Sequence, residues 1–206
     1  MINKNNHQEI KVELNGITKT LRLDLFSKTR FNLGPISCSF LPGEISVILG
    51  YNGAGKTTLL KIIMGLIKTD SGSVLINERL SNNASRKYIG YMPEVHKLQS
   101  SLRVKESLLY SLKLYHNNFI ASEEQKKRVD KYLTDMDLQD YSTRKINTLS
   151  KGQKRRVSWI QSILHGPQVL ILDEPFEGLD VEGRKKLLNL ILDAKKNKNS
   201  IKERNK

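Results

Sequence analysis

The first chemically informative residues are 50–57, whose types and spacing suit them to hold a phosphate group. They read G-Y-N-G-A-G-K-T, the G-x-x-x-x-G-K-T pattern of a phosphate-binding loop. Glycines let the backbone curve until its N–H groups point at phosphate oxygens, and the following helix adds its positive N-terminal end. Lys56 can reach the β- and γ-phosphates, and the Thr57 hydroxyl can hold Mg²⁺. A chance glycine-rich turn is disfavoured, because an apolar run at 45–49 precedes the loop and a helical pattern follows it.

A pair of carboxylates ends a second apolar run. Residues 169–175 read V-L-I-L-D-E-P, which predicts a buried strand with apolar side chains on both faces. Open α/β sheets bind ligands at the carboxyl ends of their strands, where Asp173 and Glu174 would emerge. Asp173 suits coordination of Mg²⁺, and Glu174 suits polarising the water that attacks a γ-phosphate. The alternative is an acidic turn that merely ends a strand. It is disfavoured because a phosphate-binding loop precedes this strand in the chain.

A third motif lies between these two. Residues 149–156 read L-S-K-G-Q-K-R-R, and Ser150 is well placed as the N-cap of a helix. Gly152 allows a ligand to approach the backbone closely. The motif therefore predicts a second anion-receptive helix N-terminus. The plainer alternative is a capped helix with a solvated basic face.

The elements that must position these groups alternate between strand and helix patterns. Strands are predicted around residues 10–14, 36–40, 45–49, 74–76, 89–91 and 169–172. Helical spacing begins near Val104 and gives two apolar faces: Leu108, Leu109, Leu112 and Tyr115 on one, and Val129, Leu133 and Met136 on the other. Helices are also predicted over 152–164 and 181–193. Strands mixed with helices around a phosphate-binding loop predict an α/β fold with a parallel sheet.

The composition is that of a globular protein with a basic end. The chain has 206 residues and a net charge of +14, and residues 184–206 hold nine Lys or Arg and two acidic residues. Residues 194–206 are therefore expected to be a basic, disordered tail. No apolar run approaches the roughly 18 residues of a membrane span. Cys38 is the one cysteine, which excludes an internal disulfide and fits a reducing cytosol; we expect it to be a buried strand residue.

Together, these motifs resemble those of the nucleotide-binding subunit of an ATP-binding-cassette (ABC) transporter. The resemblance runs from about residue 12 to about residue 192 and rests on the loop, the Leu-Ser-x-Gly-Gln signature and the Asp-Glu-Pro strand, in that order. Residues 176–180, F-E-G-L-D, match the D-loop of the family, with Asp180 at its carboxylate position. Glu94 falls where many members carry a glutamine. In detail, the motif sequences are similar to those of bacterial exporter ATPases that pair with separate membrane subunits.

The resemblance implies a P-loop NTPase (RecA-like) core with a parallel sheet and an N-terminal antiparallel β portion. One ABC ATPase domain would span 1–193, with a helical lobe inserted at about 95–165. Lys56 and Glu174 would be catalytic, and Thr57, Asp173 and Glu94 would hold Mg²⁺. The residues that would contact ATP are Gly50, Asn52, Gly53, Ala54, Gly55, Lys56, Thr57, Thr58, Ser150, Gly152 and Gln153.

The resemblance also implies partners. Two ATPase subunits, as a homodimer or heterodimer, would associate head to tail, so that Ser150 of one closes on ATP held by the other. A separate transmembrane permease would dock on residues near 94–115, placing the protein in the cytoplasm on the inner face of the membrane. Alternatives are a non-transport ATPase acting on ribosomes or nucleic acid, which only the positive charge favours, and a nucleotide-binding regulator without turnover. We therefore expect no nucleic-acid partner.

The sequence departs from the family pattern at Lys151, where the commonest signature has glycine, and at the adenine-stacking position. Leu21 stands where a tyrosine is common, with Phe26 and Phe31 as the alternatives. The family also places a switch histidine on a strand beyond the D-loop helix, whereas His7, His96, His116 and His165 all precede Asp173. The chain thus resembles a cassette truncated at its C-terminus. We expect a gap beside strand 45–49, lower stability and impaired hydrolysis.

Overall fold

A computed structural model describes residues 10–22, 30–82, 85–95, 98–116 and 122–203. The chain divides into two compact units: residues 1–86 with 195–206, and residues 87–194. We call them unit 1 and unit 2 and describe each by itself. The phosphate-binding loop lies in unit 1, whereas the carboxylates and the signature lie in unit 2.

Unit 1 is built on a four-stranded antiparallel sheet. Its strands are β1 (Val12–Arg22), β2 (Arg30–Phe40), β3 (Ser71–Ile76) and β4 (Arg79–Leu80), in the order β2-β1-β3-β4. In the central strand, Leu14 faces Cys38 of β2 on one side and Val74 of β3 on the other. The inner side chains Val12, Leu14 and Ile17 are 3% exposed or less, so the alternation in the sequence does mark a buried face.

The predicted strand at 45–49 is wrong. These residues, all within the described part of the chain, belong to neither sheet, and the side chains of Val47 and Leu49 are 74% and 88% exposed. A strand needs a neighbour to receive its backbone hydrogen bonds, and the four strands of unit 1 pair among themselves. The predicted parallel sheet is correspondingly reduced, among the described residues, to one pair of strands in unit 2.

That parallel pair consists of β5 (Ile89–Met92) and β6 (Val169–Leu172), in register from Ile89 opposite Val169 to Met92 opposite Leu172. Only Ile171 of β6 is buried. The expectation of a strand buried on both faces therefore fails for the other three residues, because β5 is the only strand with which β6 pairs in the described structure.

Unit 2 also contains the helices α2 (Val104–His116), α3 (Glu123–Asp135) and α4 (Lys151–Ile163) and the first part of α5 (Val181–Glu203), up to residue 194; α1 (Lys56–Ile63) belongs to unit 1. Both apolar faces predicted in the helical segment contribute to the core, although Tyr115 remains 41% exposed. The buried core of unit 2 consists of Met92, Val104, Leu108, Leu112, Val129, Leu133, Met136, Leu138, Ile146, Leu149, Val157, Trp159, Ile160, Leu164, Leu179 and Leu187.

Two further expectations need correction. Helix α5 continues to Glu203 instead of ending near Asp193, so most of the supposed disordered tail is helical. Neither glycine nor proline occurs between 194 and 203 to stop the helix. Cys38 is exposed rather than buried, because it lies on β2, where most side chains, like Cys38, face solvent.

Candidate nucleotide-binding site

The phosphate-binding loop has the backbone conformation that its glycines permit. Gly53 and Gly55 have φ angles of 85° and 90°, in the left-handed region that other residues avoid. Gly55 is also the N-cap of α1. A Cβ on Gly53 would meet no atom within 4 Å, so this side of the loop is open to a ligand. Residues Asn52, Gly53 and Ala54 therefore present backbone rather than bulky side chains at the helix N-terminus.

The charges around this helix N-terminus favour an anion. Lys56 folds back onto the loop, where its ammonium donates to the carbonyl oxygens of Gly50 at 2.7 Å and Tyr51 at 3.3 Å. Thr57 and Thr58 follow in the first turn of α1, which contains no acidic residue. The positive end of the helix is thus reinforced by one ammonium and opposed by no nearby acid in its own turn.

The adenine-stacking candidates occupy different positions. Leu21 of β1 faces Phe31 of β2 across the sheet. The ring of Phe31 packs behind the loop, since a Cβ added to Gly55 would lie 2.7 Å from its Cζ atom. Phe31 therefore supports the loop and requires a glycine at position 55. Phe26 lies outside the described residues.

The two carboxylates at the end of β6 have different environments. Asp173 is only 4% exposed, and its Oδ2 accepts a 3.5 Å hydrogen bond from the hydroxyl of Tyr91 on β5. Glu174 is exposed and has a φ of 48°, a left-handed conformation that is strained for a residue with a side chain. The structure thus buries Asp173 and presents Glu174 to solvent.

Tyr91 is a site residue that the motif analysis missed. Burial, followed by the charge of Asp173 and its hydrogen bond and by the charge of Glu94, raises the pKa of Tyr91 to about 12. The phenol therefore stays protonated and donates to Asp173. No local pattern in the sequence marks Tyr91, because its contact with Asp173 depends on the pairing of β5 with β6, in which Tyr91 lies opposite Ile171.

The residues predicted to hold Mg²⁺ are oxygen donors, the ligands this ion prefers. Thr57 lies in unit 1, while Asp173 and the exposed Glu94 lie in unit 2. Over the described ranges, no group of three or more His, Cys, Asp or Glu residues could by itself hold a metal ion. Mg²⁺ commonly takes one or two carboxylates and completes its shell with water and substrate phosphate, so the carboxylates of Asp173 and Glu94 in unit 2 are ligands of the kind that this ion takes.

Ser150 caps α4 as predicted. Its hydroxyl accepts from the backbone N–H of Gln153 at 3.2 Å, and the Gln153 side chain accepts from the Ser150 N–H at 2.9 Å, which completes a capping box. A Cβ on Gly152 would meet only Leu179, at 4.0 Å, so the backbone at this helix end is accessible. The N-terminus of α4 is therefore ordered and open.

The loop after β6, residues 173–180, is fastened to the start of α4. Lys151 pairs with Glu177 at 2.9 Å, and its methylene chain lies over Gly178, where a Cβ would come within 2.6 Å. The carboxylate of Asp180 accepts from the N–H of Gly183 at 2.8 Å and so caps α5. The departure at Lys151 from the commonest signature thus adds a contact to this loop.

Arg155 does not fit the plainer alternative of a solvated basic face on α4, because it is 1% exposed. Arg155, Trp159 and Ser162 share a buried helix face at i, i+4 and i+7 spacing. This spacing was the available signal, since a tryptophan four residues away indicates the core side of the helix. Arg156 does remain partly exposed.

Known proteins resemble this chain over most of its length. Residues 33–177 match the family model described as ABC transporter. An uncharacterized ABC transporter ATP-binding protein of Methanocaldococcus jannaschii is 37% identical over 82% of this chain and 60% of its own length. The ergothioneine transport ATP-binding protein EgtV of Helicobacter pylori is 40% identical over 75% of this chain and 73% of its own length. This chain spans 44–60% of the length of three of the relatives that it matches.

Solved structures give the same fold. The dimeric structure of MJ0796, a bacterial ABC transporter cassette, superposes with a TM-score of 0.82 at 25% identity, covering 91% of this chain and 84% of that one. A post-hydrolysis state of MJ0796 bound to ADP and Pi superposes equally well, at 26% identity. In the described part of the chain, no helix is both long and apolar enough to cross a membrane.

Proposed function

The chain belongs to the ABC transporter family, and on this premise we propose that it is the ATP-binding subunit that energises a separate transmembrane permease. The observation that carries the proposal is the loop at 50–57, with its left-handed glycines, its ammonium and a helix N-terminus free of acidic residues. These features together select a polyphosphate.

In this proposal, the loop backbone and Lys56 hold the β- and γ-phosphates of ATP. Thr57, Asp173 and Glu94 hold Mg²⁺, which when bound neutralises charge on the phosphates. Glu174 accepts hydrogen bonds from the attacking water and orients it, and its exposure supports this role. Asp173 accepts a hydrogen bond from the Tyr91 hydroxyl, which helps to orient its carboxylate.

A second subunit completes the site. The accessible N-terminus of α4, with Ser150, Gly152 and Gln153, is proposed to close on the γ-phosphate of ATP held by the partner subunit, and the dimeric cassette MJ0796 supports this association. Binding of ATP would close the dimer and hydrolysis would reopen it. This motion would pass to the permease at residues near 94–115 on the cytoplasmic side of the membrane.

The experiment compares two alanine substitutions on one helix. Lys56→Ala removes the ammonium that lies on the loop, and Lys61→Ala removes the same charge from the last turn of α1. Charge-assisted hydrogen bonds contribute about 1.5–3 kcal/mol, so Lys56→Ala should weaken Mg-ATP binding by about 10- to 150-fold, while Lys61→Ala binds like the wild type. Equal affinity in all three proteins, measured by calorimetry, would refute the proposed site.

A pull-down decides between the classes of partner. The full chain, loaded with ATP and carrying Glu174→Gln to prevent turnover, should recover a transmembrane protein from detergent-solubilised membranes. Recovery of RNA instead would support the alternative of a non-transport ATPase.

A further inference from the structure

One buried guanidinium joins the two loops that carry the proposed metal and water-activating residues. Arg155 lies in the first turns of α4, and its side chain is 1% exposed although it carries a charge. A fully buried arginine is uncommon unless its hydrogen-bonding groups are satisfied. Its partners therefore show what it does.

Four hydrogen bonds of Arg155 go to backbone carbonyls. On the loop after β5, its Nη1 donates to Glu94 at 2.8 Å and to Pro93 at 3.3 Å. On the loop after β6, its Nε donates to Pro175 at 3.0 Å and its Nη2 to Asp173 at 3.4 Å. A planar guanidinium with donors on three nitrogens thus spans both loops at once.

The surrounding charges support the same arrangement. Burial lowers the pKa of Arg155, whereas the carboxylates of Glu177, Glu94, Asp173 and Glu174 oppose this and raise it. The guanidinium stays protonated under these conditions, because arginine does not deprotonate in proteins. It is therefore a permanent cation placed among four acids that would otherwise repel one another.

The shape of the side chain matters as well as its charge. Lysine could supply a positive charge at this position, but its ammonium is a compact point charge. It cannot donate in parallel to carbonyls on two separate loops in a fixed plane. The four contacts use the fork that only arginine presents.

We propose that Arg155 is a positioning residue that locks the loop after β5 to the loop after β6 and so holds Glu94, Asp173 and Glu174 in the arrangement needed to bind Mg-ATP. The inference rests on the proposed function, but the bridge between the loops does not require nucleotide. It can therefore be tested in two separate arms.

The first arm uses hydrogen–deuterium exchange on the full chain without nucleotide. Arg155→Lys keeps the charge and loses the fork. Arg156→Lys is the matched control, since Arg156 is the next residue of α4, donates to Met136 at 3.0 Å and approaches Asp137. Loss of one or two hydrogen bonds should raise exchange about tenfold in both 93–95 and 173–177. Arg156→Lys should leave both segments unchanged, and no change in Arg155→Lys, or a change in one loop only, would overturn the bridge.

The second arm measures ATP affinity with Mg²⁺ and with EDTA. Mg²⁺ should enhance the ATP affinity of Arg155→Lys about tenfold less than it enhances that of the wild type, whereas the two proteins should bind ATP equally in EDTA. A general loss of stability would not produce this difference between the two conditions. Full enhancement in Arg155→Lys would overturn the inference alone. Absence of Mg-ATP binding in the wild type would overturn the proposed function and the role in metal binding, while the first arm would still report on the bridge.

A measurement on the wild type covers the case in which the variant does not fold. Addition of Mg-ATP should slow exchange in 93–95 and 173–177 in parallel, because the two loops move as one body. Protection confined to one of the two segments would overturn the proposal.

Discussion

Replacement of Ser150 by alanine tests whether this residue only caps its helix or also binds a ligand. The test is possible because the chain contains a matched control. Ser122 caps α3 with the same Ser-x-x-Gln capping box as Ser150 on α4. In both, the serine hydroxyl accepts from the glutamine N–H at 3.2 Å, and the glutamine side chain accepts from the serine N–H at 2.9 Å. Both serines are exposed. As caps, the two residues are equivalent.

The expected loss of stability is therefore the same for the two variants. Removal of a serine N-cap costs about 0.5–2 kcal/mol, with about 1 kcal/mol typical. In a chain of this length, 1 kcal/mol lowers Tm by about 2–4 °C. Ser150→Ala and Ser122→Ala should each show a shift of this size, and their difference should be under about 0.5 kcal/mol.

The function of the two variants should differ. With Glu174→Gln present to prevent turnover, analytical ultracentrifugation should show Mg-ATP-dependent association for the parent and for Ser122→Ala. Ser150→Ala should lose this association by at least tenfold, since the loss of one hydrogen bond to a charged phosphate costs about 1.5–3 kcal/mol. Equal association of the two variants would show that Ser150 is a cap and nothing more, and the reasoning would be refuted.

Three further predictions follow from single residues. Glu174→Asn should be more stable than Glu174→Gln by about 0.5–1 kcal/mol, because asparagine tolerates the φ of 48° better; thermal melts that rank them the other way would exclude strain at this position. Val47→Thr should change the free energy of unfolding by less than about 0.5 kcal/mol, since the side chain is 74% exposed; a loss of about 1–3 kcal/mol in urea denaturation would place it in a buried strand. The raised pKa of Tyr91, about 12, means that its contribution to stability is complete below the ordinary tyrosine pKa of 10.0 and is lost as the pH rises through 12. Tyr91→Phe should show a smaller loss of stability at alkaline pH than the wild type. If an ultraviolet titration of Tyr91→Phe showed one fewer tyrosine titrating near pH 10 than the wild type shows, the raised pKa of Tyr91 would be contradicted.

Local patterns predicted the chemical groups of the site well. The loop at 50–57, the strand that precedes Asp173 and the cap at Ser150 all depend on residues within one turn or one strand of each other, and the structure has each of them in the predicted element. Backbone conformation and helix capping determine which residue types these positions need, and a short stretch of sequence specifies both directly.

Features that depend on distant partners could not be predicted in the same way. The run at 45–49 has the composition of a strand, but a strand also requires a neighbour, and no local pattern supplies one. The charge of Arg155 favours a solvated face, and its burial is indicated only by its spacing from Trp159. Tyr91 and Asp173 are 82 residues apart, so their contact depends on the pairing of β5 with β6.

The capping box on α4 also determines what the side chain of Gln153 can recognise. Its amide oxygen already accepts from the N–H of Ser150, which turns the side chain back over the helix end and fixes which end of the amide is the NH₂ group. The two hydrogens of that amide nitrogen are not used by the capping box and can be donated to an incoming molecule. The cap that stabilises α4 therefore also orients a donor at this helix end, which favours ligands rich in acceptor oxygens.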